Sequence, residues 1–164
     1  MSVRSRVLAG FIRSELPDLA RAVDRAITLH TKAVRRGDLD YLDGVALNLH
    51  GFYMGVEEIF SRIARDLDES LPDGAQWHLT LLSQMTWPVS EIRPPVISQE
   101  TRLCLDEYRG FRHVVRNIYT FNLVPSKIGK VVNDLPGCHQ SLIADLGIFC
   151  GFLEMAQNVE DEIK

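Results

Sequence analysis

The sequence predicts an all-α fold, an up-and-down bundle of four main helices and one shorter one. Three observations carry that expectation. Apolar residues recur at three- and four-residue spacing over long stretches. No strand hairpin and no internal repeat is visible. The gaps between the periodic stretches carry helix-ending residues: Gly37, Pro72-Asp73-Gly74, Trp87-Pro88 and Pro125. A chain of 164 residues suits one domain, residues 1–164, with a single core.

The first helix is expected from Val3 to about Arg36, with Leu8, Phe11, Ile12, Leu16, Leu19, Val23, Ile27 and Val34 at helical spacing. Pro17 lies inside this pattern, so either a helix ends near Leu16 and restarts or one helix kinks. A second helix opens near Asp38 or Asp40, either of which could cap it. Its wide apolar stripe runs from Leu42 through Val45, Leu49, Phe52, Val56, Phe60 and Ile63 to Leu67. His50 reads as a surface or capping residue. Glu57 and Glu58, adjacent and therefore diverging on a helix, read as a solvated face.

A shorter helix follows the turn, from about Ala75 to Thr86. In it Trp77 reads as an anchor and His78 as a solvated or hydrogen-bonded ring, with a substrate-facing His78 as the alternative. Glu91 to Pro95 is an extended loop, too short to separate domains. Ser98 caps the next helix, with Glu100 in its first turn, and this helix runs to about Phe121 before Asn122 and Pro125. The last helix spans about Ser126 to Asn158, with a kink or break at Pro136-Gly137.

The charge distribution points to one anionic site. The net charge is −4, yet the segment Arg102–Lys130 holds six basic residues and only two acids, Asp106 and Glu107. A local positive patch on an acidic chain fits one anionic ligand better than general adhesion to nucleic acid. No apolar run is long enough to span a membrane, and the N-terminal apolar stretch is too short for a signal peptide. Cys104, Cys138 and Cys150 read as buried thiols in a reducing cytoplasm. No Cys/His spacing suggests a metal, no glycine-rich phosphate loop is present, and no cofactor is expected.

The patch centres on Tyr108-Arg109-Gly110-Phe111-Arg112-His113-Val114-Val115-Arg116-Asn117-Ile118-Tyr119. As a continuous helix, this stretch aligns Arg112, Arg116 and Tyr119 on one face and sets Arg109, His113 and Arg116 beside them. Phe111, Val114, Val115 and Ile118 form the apolar side expected to dock on the core. Like charges at this spacing repel by a few tenths of a kcal/mol per pair, about the cost helices avoid without a reason. One reading is a phosphate-binding, phosphoryl-transfer face. The other is a solvated basic face.

From Tyr41 to about Leu123 the chain resembles the HEPN superfamily and, within it, the HepT-like domains, helical toxins paired with a minimal nucleotidyltransferase (MNT) antitoxin. The resemblance rests on Leu42-Asp43-Gly44-Val45-Ala46-Leu47-Asn48-Leu49-His50-Gly51-Phe52-Tyr53, Glu58-Ile59-Phe60, Trp77-His78 and Phe111 to Tyr119. The HepT-like pattern is an arginine, four residues, a histidine, one residue and a tyrosine. Arg112 and Tyr119 match it, and the histidine position is Asn117. His113 lies one turn before Asn117.

The resemblance implies a metal-independent RNA endonuclease toxin acting on tRNA or another structured RNA. In that mechanism a ribose 2′-hydroxyl attacks the neighbouring phosphate. Arginine stabilises the phosphoryl charge and a histidine moves the proton. Arg112, His113 and Asn117 are then the candidate catalytic residues, and Arg109 and Arg116 the phosphate-binding ones. The resemblance further implies a homodimer that shares one RNA cleft, an MNT partner, and silencing by AMPylation of Tyr119. Asparagine cannot carry a proton. The alternatives are therefore a catalytically weak protein that binds RNA or nucleotide, and a helical dimer that acts only through protein partners.

Overall fold

The computed structural model describes residues 3–119 and 122–155. Five helices follow in order: α1 (Val3–Arg36), α2 (Tyr41–Asp66), α3 (Trp77–Gln84), α4 (Gln99–Asn117) and α5 (Pro125–Met155). The architecture is an all-α, HEPN-like bundle of four long helices and a short one. No strand forms among the described residues, and the one β-bridge, Val89 to Arg93, lies in the loop before α4.

Neither Pro17 nor Pro136 ends its helix. The part of the last helix expected beyond Met155 lies outside the described residues. Asp40 stands at the start of α2 without a side-chain cap, and the Asp38 carboxylate accepts from the Asp40 N–H at 3.0 Å instead.

The core runs the length of α2, where Val45, Leu49, Phe52, Val56, Phe60 and Ile63 are buried as their spacing requires. All five helices contribute to this cluster, with Leu8 and Ile12 from α1, Leu81 from α3, Leu105 from α4 and Leu142 from α5. Two glycines let α1 and α2 approach closely. A Cβ on Gly44 would fall 2.8 Å from Leu29 Cδ1, and one on Gly55 would fall 2.6 Å from Leu19 Cδ2. No described helix is long and apolar enough to cross a membrane.

The loop between α3 and α4 is fixed by a buried ion pair. Arg93 lies in the expected extended loop, yet its side chain is fully buried, with Nε 2.6 Å and Nη2 2.7 Å from the two carboxylate oxygens of Asp68. Its remaining N–H groups donate to the carbonyls of Trp87, Pro94 and Gln84. Such bidentate pairing with every donor satisfied is what makes a guanidinium tolerable in a core. It ties the end of α2 to the segment joining α3 and α4, the helices that carry the charged residues.

One expectation fails here. Cys104 in α4 and Cys138 in α5 are joined as a disulfide, with Cα atoms 5.6 Å apart. They are 34 residues apart in the chain and meet only because α4 packs on α5. Cys150 is a buried free thiol, as expected.

Candidate functional site

The N-terminus of α4 is anchored by the capping residue that the sequence predicts. Ser98 Oγ accepts from the Thr101 N–H at 3.1 Å. Asp145 of α5 then accepts from Ser98 N–H at 2.9 Å, Ser98 Oγ at 3.1 Å and Thr101 Oγ1 at 2.6 Å. Farther along, the Tyr108 hydroxyl donates to the Val131 carbonyl at 2.8 Å. Thr101, Leu105 and Tyr108 are the buried residues of α4, with Phe111 packed against the core beside them. The expected apolar side is only partly right: Val114 and Ile118 are exposed.

Between the start of α3 and the second half of α4 lies a cleft of 540 Å³. The α4 wall carries Arg109, Arg112, His113, Arg116 and Asn117, and the facing wall carries Gln76, His78 and Leu79. Five of the six candidate residues therefore share one cleft. Its described lining includes three arginines and no carboxylate.

Arg112 is the most enclosed of the three. Its side chain is 12% exposed, and Nη1 lies 3.3 Å from Glu57 Oε1. Nη1 also lies 2.6 Å and 2.7 Å from the two ring nitrogens of His78. His78 Nδ1 is 2.6 Å from Glu57 Oε2. A carboxylate only accepts and a guanidinium only donates. With its proton on Nδ1, the His78 ring donates to Glu57 Oε2 and carries its lone pair on Nε2, while Arg112 Nη1 lies about equally close to both nitrogens. The Trp77 ring lies over that imidazole with centroids 3.6 Å apart. Arg112 Nε is buried with no hydrogen-bond partner among the described residues.

Glu57 corrects the reading of a solvated pair. It is 5% exposed, whereas Glu58 points outward. The signal was in the periodicity, since Glu57 lies four residues after Tyr53 and three before Phe60, both in the core stripe. His78 is hydrogen-bonded, as expected, and also faces the cleft. His50 is half-buried rather than a surface cap. Burial, and then the positive field of Arg112 and Arg116, hold its imidazole below the ordinary histidine range, with Glu57 opposing. Tyr53, buried between these residues, has its phenol pushed above the ordinary range, chiefly by burial.

The other arginines are freer. Arg109 pairs with Asp106 at 2.6 Å, and Arg116 is exposed. Asn117 folds back on its own helix. Its Nδ2 donates to the His113 carbonyl at 2.7 Å and lies 3.2 Å from His113 Nδ1.

Tyr119 is not where a continuous helix would put it. The helix ends at Asn117, and Ile118 is already extended at φ −128° and ψ 156°. An asparagine amide competing for backbone acceptors favours such an end. The alignment of Tyr119 with Arg112 and Arg116 is therefore lost. Tyr119 is 73% exposed beyond the helix, and Phe121, the expected end, lies outside the described residues.

No group of three or more His, Cys, Asp or Glu among the described residues is placed to hold a metal ion. No curated protein and no solved structure matches the chain. A family model described as HepT-like protein matches residues 44–153, which spans all of α3 and α4 and most of α2 and α5. The chain thus belongs to the HepT-like family of the HEPN superfamily.

Proposed function

We propose that this protein is a metal-independent RNA endonuclease, the toxin of a toxin–antitoxin pair, acting on tRNA or another structured RNA in the cytoplasm. The observation that carries the reading is Arg112, held 12% exposed in a cleft that it shares with Arg109, His113 and Arg116. Three guanidiniums converging on one hollow suit a phosphodiester, and the planar fork suits its transition state. In this reading Arg112 stabilises the charge that builds on the phosphoryl oxygens when the ribose 2′-hydroxyl attacks. Arg109 and Arg116 hold neighbouring phosphates, and His113 transfers the proton that Asn117 cannot. DNA lacks the attacking hydroxyl and is spared.

Two copies meeting through α4 would double the arginines around one groove. The exposed Val114 and Ile118, beside the cleft, give such a contact apolar area. Tyr119, exposed past the helix end, is accessible to an MNT antitoxin. An AMP added there brings negative charge and bulk to the C-terminal end of α4, where it opposes RNA approaching the cleft.

The second reading is a binder with little catalysis. It is favoured by Asn117, whose amide is engaged with the His113 carbonyl. Incubation of total tRNA with the purified protein in EDTA, beside Arg112→Ala, separates the two. Cleavage lost in the variant supports the nuclease. Salt-dependent binding without products supports the binder.

A further inference from the structure

We infer that His78 is the general base of this cleft, oriented by the buried Glu57, and that it takes the proton from the attacking 2′-hydroxyl. The inference rests on the nuclease reading above and adds to it a residue outside the family's arginine–tyrosine motif.

Three observations meet at this ring. His78 faces the cleft from the wall opposite His113, so the two imidazoles flank the space beside Arg112. Glu57, 5% exposed, lies 2.6 Å from Nδ1, and a carboxylate, which only accepts, favours the tautomer with the proton on that nitrogen. Trp77 covers one ring face. The ring is thereby fixed in position and tautomer, with a single lone pair, on Nε2, left for chemistry. A carboxylate behind an imidazole also stabilises the imidazolium that forms when the base accepts a proton.

When no RNA is present, Arg112 Nη1 rests against the imidazole, 2.6 Å from Nδ1 and 2.7 Å from Nε2. A phosphate entering the cleft competes for the guanidinium and draws it away, which uncovers Nε2 beside the phosphorus. One event thus delivers the charge-stabilising group and frees the base. The step then balances. The O2′–H proton passes to His78 Nε2 as the O2′–P bond forms. The P–O5′ bond breaks with its electron pair on O5′, which takes a proton from His113 in its imidazolium form. The products are a 2′,3′-cyclic phosphate and a 5′-hydroxyl. His78 then loses its proton to water, and His113 regains one.

The test uses the full chain with tRNA in EDTA, comparing wild type, His78→Gln, His78→Ala and Arg112→Ala. Circular dichroism checks the fold and filter binding checks RNA affinity. Both His78 variants are expected to bind RNA as wild type does and to lose about 10²–10⁴-fold in cleavage rate. Free imidazole should restore part of the activity of His78→Ala and none of that of Arg112→Ala. On an RNA whose scissile O5′ is replaced by sulfur, the leaving thiolate needs no acid. The His78 deficit should persist there, and its disappearance would overturn the base assignment by moving His78 to the leaving group. Full cleavage by His78→Gln, with Arg112→Ala dead, would overturn this inference and leave the nuclease standing. A wild type that binds RNA and yields no products would remove both.

Discussion

Replacing Asp68 with alanine should destabilise the fold by about 3 kcal/mol. The change leaves the Arg93 guanidinium, fully buried, without its counter-charge. Breaking a buried pair from one side costs about 3–5 kcal/mol, because a charge stays behind in the interior. Here the cost falls toward the lower end. The carbonyls of Trp87, Pro94 and Gln84 still accept from Arg93, and Gln84, which donates to Asp68, keeps the Ser70 carbonyl at 3.0 Å. At about 2–4 °C per kcal/mol for a chain of this size, the melting temperature should drop by about 6–12 °C. Thermal and urea denaturation followed by circular dichroism give both numbers. Arg93→Met with Asp68→Leu removes both charges and should recover much of the loss. A single Asp68→Ala variant that melts with wild type would refute the claim that this pair organises the loop between α3 and α4.

Three other predictions concern packing, pH and the division of labour on α4. Gly55→Ala puts a Cβ against buried Leu19 and should cost about 1–3 kcal/mol. Gly10→Ala, at an exposed position inside α1 with nothing within 4 Å, should stabilise by up to about 1 kcal/mol. Equal urea midpoints for the two would contradict the packing. His50 and His139 both have their affinity for protons lowered in the fold, chiefly by burial. The unfolded chain therefore protonates first as pH falls below about 6.5, so stability present above that value is lost toward pH 5. His50→Gln with His139→Gln should flatten the slope of denaturation free energy between pH 7.5 and 5. An unchanged slope would assign it to other groups. His113→Ala should slow RNA cleavage more than Asn117→Ala, since only the imidazole carries a proton, and the reverse order would make the asparagine the working residue.

The bundle was legible because helical periodicity and capping act within one helix. The α2 stripe and the Ser98 cap are set by residues three or four apart, and the five helices follow from them. Arg109, Arg112, His113, Arg116 and Asn117 were legible as a group for the same reason. What the sequence did not expose depends on partners from other helices. Glu57 lies on the α2 core stripe, but its partners are set only when α4 lays Arg112 over it and α3 brings His78. Cys104 and Cys138 become neighbours only through the packing of α4 on α5. Tyr119 was misplaced because the end of α4 is decided by a local competition for backbone acceptors around Asn117, which periodicity does not register.

Under the proposed function, Arg112 serves phosphodiester chemistry in this cleft. Its most direct test is the rate of cleavage of total tRNA in EDTA by the purified, unmodified protein and by Arg112→Ala. Products with 2′,3′-cyclic phosphate ends are expected from the wild type and none from the variant, with both proteins folded. Equal cleavage by the two, or a folded wild type that leaves RNA intact, would contradict it.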